Sequence, residues 1–153
     1  MKRAVAAIVA IAAAFIGYRY YDKSYAPVEH YKKFAEEVLH RRYDAAAALT
    51  DEISANDLAK QGSQERIGAG PPMFQTLFPS RFAIESSETG ADGLLTLHAV
   101  QTVLFNPPGV ESAVRPAMYA KLHQVVSLRK TSSGWKVTSF ENEFDSMDSL
   151  SGK

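Results

Sequence analysis

Residues 117–144, with the sequence AMYAKLHQVVSLRKTSSGWKVTSFENEF, decide the fold of this chain. Two apolar-rich runs flank residues 130–134, KTSSG, whose small and polar side chains are typical of a tight connection between strands. In the first run the even positions are the apolar ones: Met118, Ala120, Leu122, Val126 and Leu128. This alternation predicts a hairpin with strands over about residues 117–130 and 135–144 and one face toward a core.

Further elements are predicted on the N-terminal side of this hairpin. Residues 82–87 and 94–105 predict two strands joined by a Gly- and Asp-rich loop. Between residues 28 and 40 apolar side chains recur at three- and four-residue steps, which predicts an amphipathic helix. Shorter helices are predicted over residues 45–49 and about 57–66. Helices followed by an antiparallel meander give the fold class α+β.

The strand faces follow from the same alternation. In residues 94–105 the odd positions are the more consistently apolar set: Leu95, Leu97, Ala99, Val103 and Phe105. Antiparallel pairing with the next strand is expected to place Ala99 near Leu122 on the inner face, toward the helices. The same register is expected to place His98 near His123 on the outer face.

The N-terminus carries a short apolar segment. Lys2 and Arg3 precede an apolar run, and the fifteen residues 4–18 would form a helix of about 22 Å, which tyrosines at the interface extend toward a full membrane crossing. We predict a transmembrane anchor over residues 1–22. A signal peptide cleaved after Ala14 and a buried helix stay as alternatives. An anchor predicts a single-pass protein of a bacterial inner membrane with its C-terminal domain in the periplasm.

Composition excludes several classes of function. The chain has no cysteine, so disulfide scaffolds and thiol chemistry are excluded. Seventeen basic and seventeen acidic residues cancel, which gives no electrostatic footprint for nucleic acid. The four histidines lack the spacing of a metal site, so neither a metal nor a cofactor is expected.

The helix at residues 28–40, the sequence YDAA at 43–46, the long strands and the ending GWKVTSF at 134–140 resemble the NTF2-like (cystatin-like α+β) superfamily. The resemblance implies helices packed on a curved antiparallel sheet around a cone-shaped pocket. The resemblance covers about residues 28–144, and with the other segments the chain divides into a membrane anchor or signal segment 1–22, a linker 23–27, a domain 28–145 and a polar tail 146–153. The superfamily includes enzymes, ligand binders and assembly subunits, so the resemblance does not select one function.

Two groups of side chains are candidate sites. Gln101 and Gln124 are the polar residues predicted on the inner face, and the apolar turn with Met73, Phe74 and Phe78 is a candidate lid over them. Together they would make a small-ligand site. An amide is neither an acid nor a base, so a lyase or isomerase is the less favoured interpretation.

The outer face is less polar than a solvent-facing surface should be. Val100, Tyr119 and Val125 are predicted to lie there beside His98 and His123. We therefore predict a noncatalytic interaction module, an accessory subunit of a membrane complex, that meets a protein partner or forms a homodimer through this face.

Overall fold

The computed structural model describes residues 13–14, 16–18, 20–64, 78–106 and 115–150. In chain order, a π-helical turn (Tyr21–Tyr25) leads into α1 (Ala26–Leu39), α2 (Tyr43–Ala47), α3 (Ala55–Gln64), β1 (Arg81–Thr89), β2 (Leu95–Phe105), β3 (Met118–Thr131) and β4 (Gly134–Ser149). The predicted α+β arrangement of helices followed by an antiparallel meander is confirmed, since the described strands form one sheet in the order β1-β2-β3-β4.

Helix α1 packs its apolar stripe against the sheet. Pro27 lies in its first turn and has no N–H to donate, and the buried residues Tyr31, Phe34 and Ala35 follow at helical spacing. The ring of Tyr31 meets Phe82 of β1 edge to face at 5.6 Å, and the ring of Phe34 meets Phe140 of β4 at 5.0 Å. These contacts fix the helix across the inner face of the sheet.

The predicted faces of β2 and β3 are correct, but the predicted register is not. Ala99 pairs with Gln124 rather than Leu122, and His98 pairs with Val125 rather than His123. The error is two residues, which is one full period of a strand, so every side chain keeps its expected face. The alternation sets the face, whereas the position at which the β2–β3 loop closes sets the register.

Strand β4 contains two bulges that preserve its inner face. Leu128 pairs with Val137 and the adjacent Ser127 pairs with Ser139, so Thr138 is an extra residue. Asp145 is extra in the same way, between the partners of Lys121 and Leu122. As a result the residues paired with the inner positions of β3 include Val137, Phe140, Asn142, Phe144 and Met147.

The prediction of a transmembrane anchor, and with it of a single-pass inner-membrane protein with a periplasmic domain, is contradicted. Across the described residues no helix is both long enough and apolar enough to cross a membrane. Residues 1–12, 15 and 19 of the predicted segment lie outside the described residues. At the end of this segment Asp22 contacts the sheet: Lys130 pairs with Asp22, and Trp135 Nε1 donates to the Asp22 carbonyl oxygen at 3.0 Å.

Two predicted domain boundaries differ from the observed elements. The expected linker at residues 23–27 is helical, because the π-helical turn continues directly into α1. The expected polar tail from residue 146 begins inside β4, which ends at Ser149. The Leu150 N–H then donates to the Ala117 carbonyl oxygen at 2.8 Å, so this end of the chain is held against the start of β3.

Candidate interaction surface

The two inner-face glutamines lie side by side in a buried hydrogen-bond network. Tyr31 Oη donates to Gln124 Oε1 at 2.5 Å, and Gln124 Nε2 donates to Gln101 Oε1 at 2.8 Å and to Asn142 Oδ1 at 2.9 Å. Gln101 Nε2 donates to Ser80 Oγ at 3.0 Å. Gln101 and Gln124 are 0% and 2% exposed, so these bonds connect α1, β2, β3 and β4 beneath the surface.

This network leaves little for a ligand to bind. Within the described residues no buried side-chain nitrogen or oxygen lacks a hydrogen-bond partner. Burial raises the pKa of the Tyr31 phenol, so that group stays protonated at neutral pH, and an amide does not titrate there. Of the predicted lid, Met73 and Phe74 lie outside the described residues, and Phe78 is half-buried.

The outer face brings most of the predicted interaction residues together. Val100 pairs with His123, and His98 pairs with Val125, so the four side chains form one block at the centre of the sheet. Tyr119 lies on the same face nearer the start of β3, opposite Leu104. Val100, Tyr119 and Val125 are half-buried. The structure therefore places all five predicted residues on one surface.

Carboxylates that were not predicted for this surface border the block. Glu143 pairs with His123 and Glu141 with Val125 across β3 and β4. A shallow cavity of about 120 Å³ opens between them, lined by Glu85, His98, His123, Val125, Glu141 and Glu143 among others. The period-two spacing of Glu141 and Glu143 could have placed them on the outer face, whereas Glu85 reaches the cavity because β1 is irregular between Ile84 and Ser86.

The cavity is polar, open and without a metal-binding arrangement. His123 Nε2 lies 3.5 Å from Asp145 Oδ2, with the two side chains 48% and 45% exposed. In the part of the chain that the structure describes, no group of three or more His, Cys, Asp or Glu residues is arranged to hold a metal ion. What the surface offers is an apolar centre, two imidazoles and a border of carboxylates.

Comparison with protein-family models, curated proteins and solved structures finds no match to this chain. The resemblance to the NTF2-like superfamily therefore stays a prediction. The α+β class rests on the described helices and strands themselves.

Proposed function

We propose that this chain is a noncatalytic interaction module that pairs with a second copy of itself through the outer face of its sheet. The observation that supports this is that three apolar side chains, Val100, Val125 and Tyr119, lie half-buried on that face. Helices α1 to α3 direct their buried residues to the core on the other side of the sheet. Two copies in contact would remove both apolar blocks from water.

The arrangement of charges supports the same proposal. Charged side chains surround Val100 and Val125 on the outer face, with Lys121 between these valines and Tyr119: Lys121 and Arg129 on β3, Glu141 and Glu143 on β4, and Glu85 on β1. An apolar centre within a polar rim is the ordinary anatomy of a protein interface. A two-fold pair needs only one such patch, because each copy presents the same surface to the other.

The alternative interpretations receive less support. A ligand in the inner pocket would have to break bonds that Gln101 and Gln124 already make with each other and with Tyr31. A lyase or isomerase needs a group that gains and loses a proton near neutral pH, and the inner network consists of amides, hydroxyls and a phenol whose pKa is raised.

Sedimentation equilibrium of the full chain over a range of concentrations tests the proposal. We expect a reversible dimer, and we expect Val125→Lys to weaken dimerisation by about a hundredfold or more, because a long charged side chain at the centre of the contact would have to lose its water and would displace apolar contact area. Ser87→Lys is the matched control, since Ser87 is exposed and pairs with the inner-face residue Leu97. Circular dichroism verifies that each variant is folded. A chain that stays monomeric up to about 1 mM, or a Ser87→Lys variant as weak as Val125→Lys, would rule the proposal out.

A further inference from the structure

Strand β4 forms one edge of the sheet, and part of its backbone is directed away from β3. The Val137 N–H donates to the Leu49 carbonyl oxygen at 3.1 Å, and the Val137 carbonyl oxygen accepts from the Asp51 N–H at 2.8 Å. Val137 thus bonds outward, to the segment that follows α2. This short bridge covers only the beginning of the edge.

The outward direction recurs along the rest of the strand. In an antiparallel ladder, alternate paired positions direct their N–H and C=O groups away from the neighbour. Leu128 pairs with Val137, and the residues two, four and six positions before Leu128 on β3 pair with Phe140, Asn142 and Phe144. These three residues of β4 therefore direct their backbone N–H and C=O groups as Val137 does, away from β3. Gln61 Nε2 donates to the Phe140 carbonyl oxygen at 2.7 Å, as this direction requires. Among the described residues, none forms a hydrogen bond with the N–H or C=O groups that Asn142 and Phe144 direct away from β3.

The side chains of this open edge have different characters on the two faces. Glu141 and Glu143 are exposed on the outer face. On the inner face Phe144 and Met147 are each 42% exposed, which is unusual for large apolar side chains directed toward a core. There is no lysine or arginine between residues 137 and 150, so the strand is acidic on one face and apolar on the other.

We propose that β4 is a docking edge for an extended segment of a partner protein in which basic and apolar residues alternate. The segment would add a fifth strand by bonding the backbone of Asn142 and Phe144. Its basic side chains would lie opposite Glu141 and Glu143, which occupy the non-hydrogen-bonded positions where side chains across a ladder come closest. Its apolar side chains would cover Phe144.

A second copy of β4 fits this edge poorly. Antiparallel pairing centred on Asn142 would place Glu141 of one copy opposite Glu143 of the other, and like charges directly opposite each other are destabilising. The length of the open stretch is set by structural features at its two ends. Gln61 occupies the Phe140 carbonyl oxygen and the bulge at Asp145 ends the regular ladder, so residues 141–144 remain, about 14 Å of strand, which matches a partner segment of about four residues. The inference goes beyond the proposed self-association, because it concerns the edge and not the face.

The test uses the full chain and a synthetic seven-residue peptide of alternating lysine and valine, blocked at both ends. We expect saturable binding, with the largest amide shifts in ¹H–¹⁵N spectra at Asn142 and Phe144. Glu141→Lys combined with Glu143→Lys should weaken binding about tenfold or more through loss of two cross-strand ion pairs and added repulsion. Glu52→Lys with Glu88→Lys is the matched control, since both residues are exposed and lie off β4.

Two peptide controls keep the test independent of how the variants fold. A peptide of the same composition with its lysines in one block retains the charge but loses the alternation. A peptide that carries N-methyl groups at alternate residues retains the side chains but cannot form the ladder. Both should bind wild-type protein at least about tenfold more weakly. The inference would be overturned if the peptide with its lysines in one block bound as tightly as the alternating peptide, or if the amide shifts were confined to strands other than β4. A monomeric chain that binds the alternating peptide refutes self-association alone, and a dimer that does not bind it refutes the docking edge alone.

Discussion

Replacing Tyr31 with Phe removes one hydrogen bond from the buried network and leaves Gln124 Oε1 without a donor. Tyr31 is 0% exposed and Gln124 is 2% exposed, so water does not take the place of the lost hydroxyl. A buried polar group without a partner costs about 1–3 kcal/mol. We therefore expect Tyr31→Phe to lower the free energy of unfolding by about 2 kcal/mol.

Gln124→Met gives a larger loss, because it removes the partner of more than one group. The Tyr31 hydroxyl and Gln101 Oε1 both lose a bond in the buried interior, whereas Asn142 is half-exposed and can turn to water. Two unsatisfied groups predict a loss of about 4 kcal/mol. The double variant Tyr31→Phe/Gln124→Met has only Gln101 Oε1 unsatisfied, so it should be about 2 kcal/mol more stable than Gln124→Met alone.

Urea unfolding followed by far-ultraviolet circular dichroism measures all three variants. Tyr43→Phe is the matched control, because Tyr43 packs at the border of the core, and its change should stay within about 0.5 kcal/mol. The reasoning is refuted if the double variant is less stable than Gln124→Met, since the losses would then be independent. It is also refuted if Tyr31→Phe lowers the free energy of unfolding no more than Tyr43→Phe does.

Three further predictions follow from single features. Because burial raises the pKa of Tyr31, the folded state keeps the phenol proton at a pH where the unfolded chain releases it. The free energy of unfolding should therefore be unaffected by this group below about pH 10 and fall by about 1.4 kcal/mol per pH unit above it. Urea unfolding between about pH 9 and 11 should show a smaller dependence of this free energy on pH for Tyr31→Phe. Gly134 has a φ of +113°, which side chains rarely adopt, so Gly134→Ala should cost about 1–3 kcal/mol in thermal unfolding while Ser132→Ala costs little. Trp135→Phe loses the bond to the Asp22 carbonyl, so hydrogen exchange should quicken for amides that the π-helical turn protects and stay unchanged in β2.

Much of the fold could be predicted, because the strands of this sheet obey a period of two with few interruptions. Leu97 and Ala99 alternate with half-buried residues, and the burial of β2 repeats that pattern over most of its length. Gln101 and Gln124 interrupt the apolar sets, yet both are buried where the alternation places them. What the alternation lacks is a signal for the residue at which a loop closes, so the register between His98 and Val125 required the structure.

The candidate surface was only partly predictable for a similar reason. The apolar and imidazole side chains of its centre belong to regular stretches of β2 and β3. Glu85 lies at an irregularity in β1, and Asp145 is a bulge residue in β4. Neither irregularity leaves a signal in the composition or the hydropathy pattern of its strand. The N-terminal prediction rested on the apolar run, its length and its flanking residues, whereas Asp22 is positioned by contacts with Lys130 and Trp135, more than a hundred residues further along the chain.

The bulges in β4 have a consequence for how this chain tolerates deletions. Thr138 and Asp145 are supernumerary in the pairing with β3, so loss of either one would straighten the strand and leave every other side chain on its present face. Loss of Glu143 would instead turn Phe144 to the outer face and Asp145 toward the core. Within one strand, two sites can therefore absorb a missing codon, while a site between them cannot.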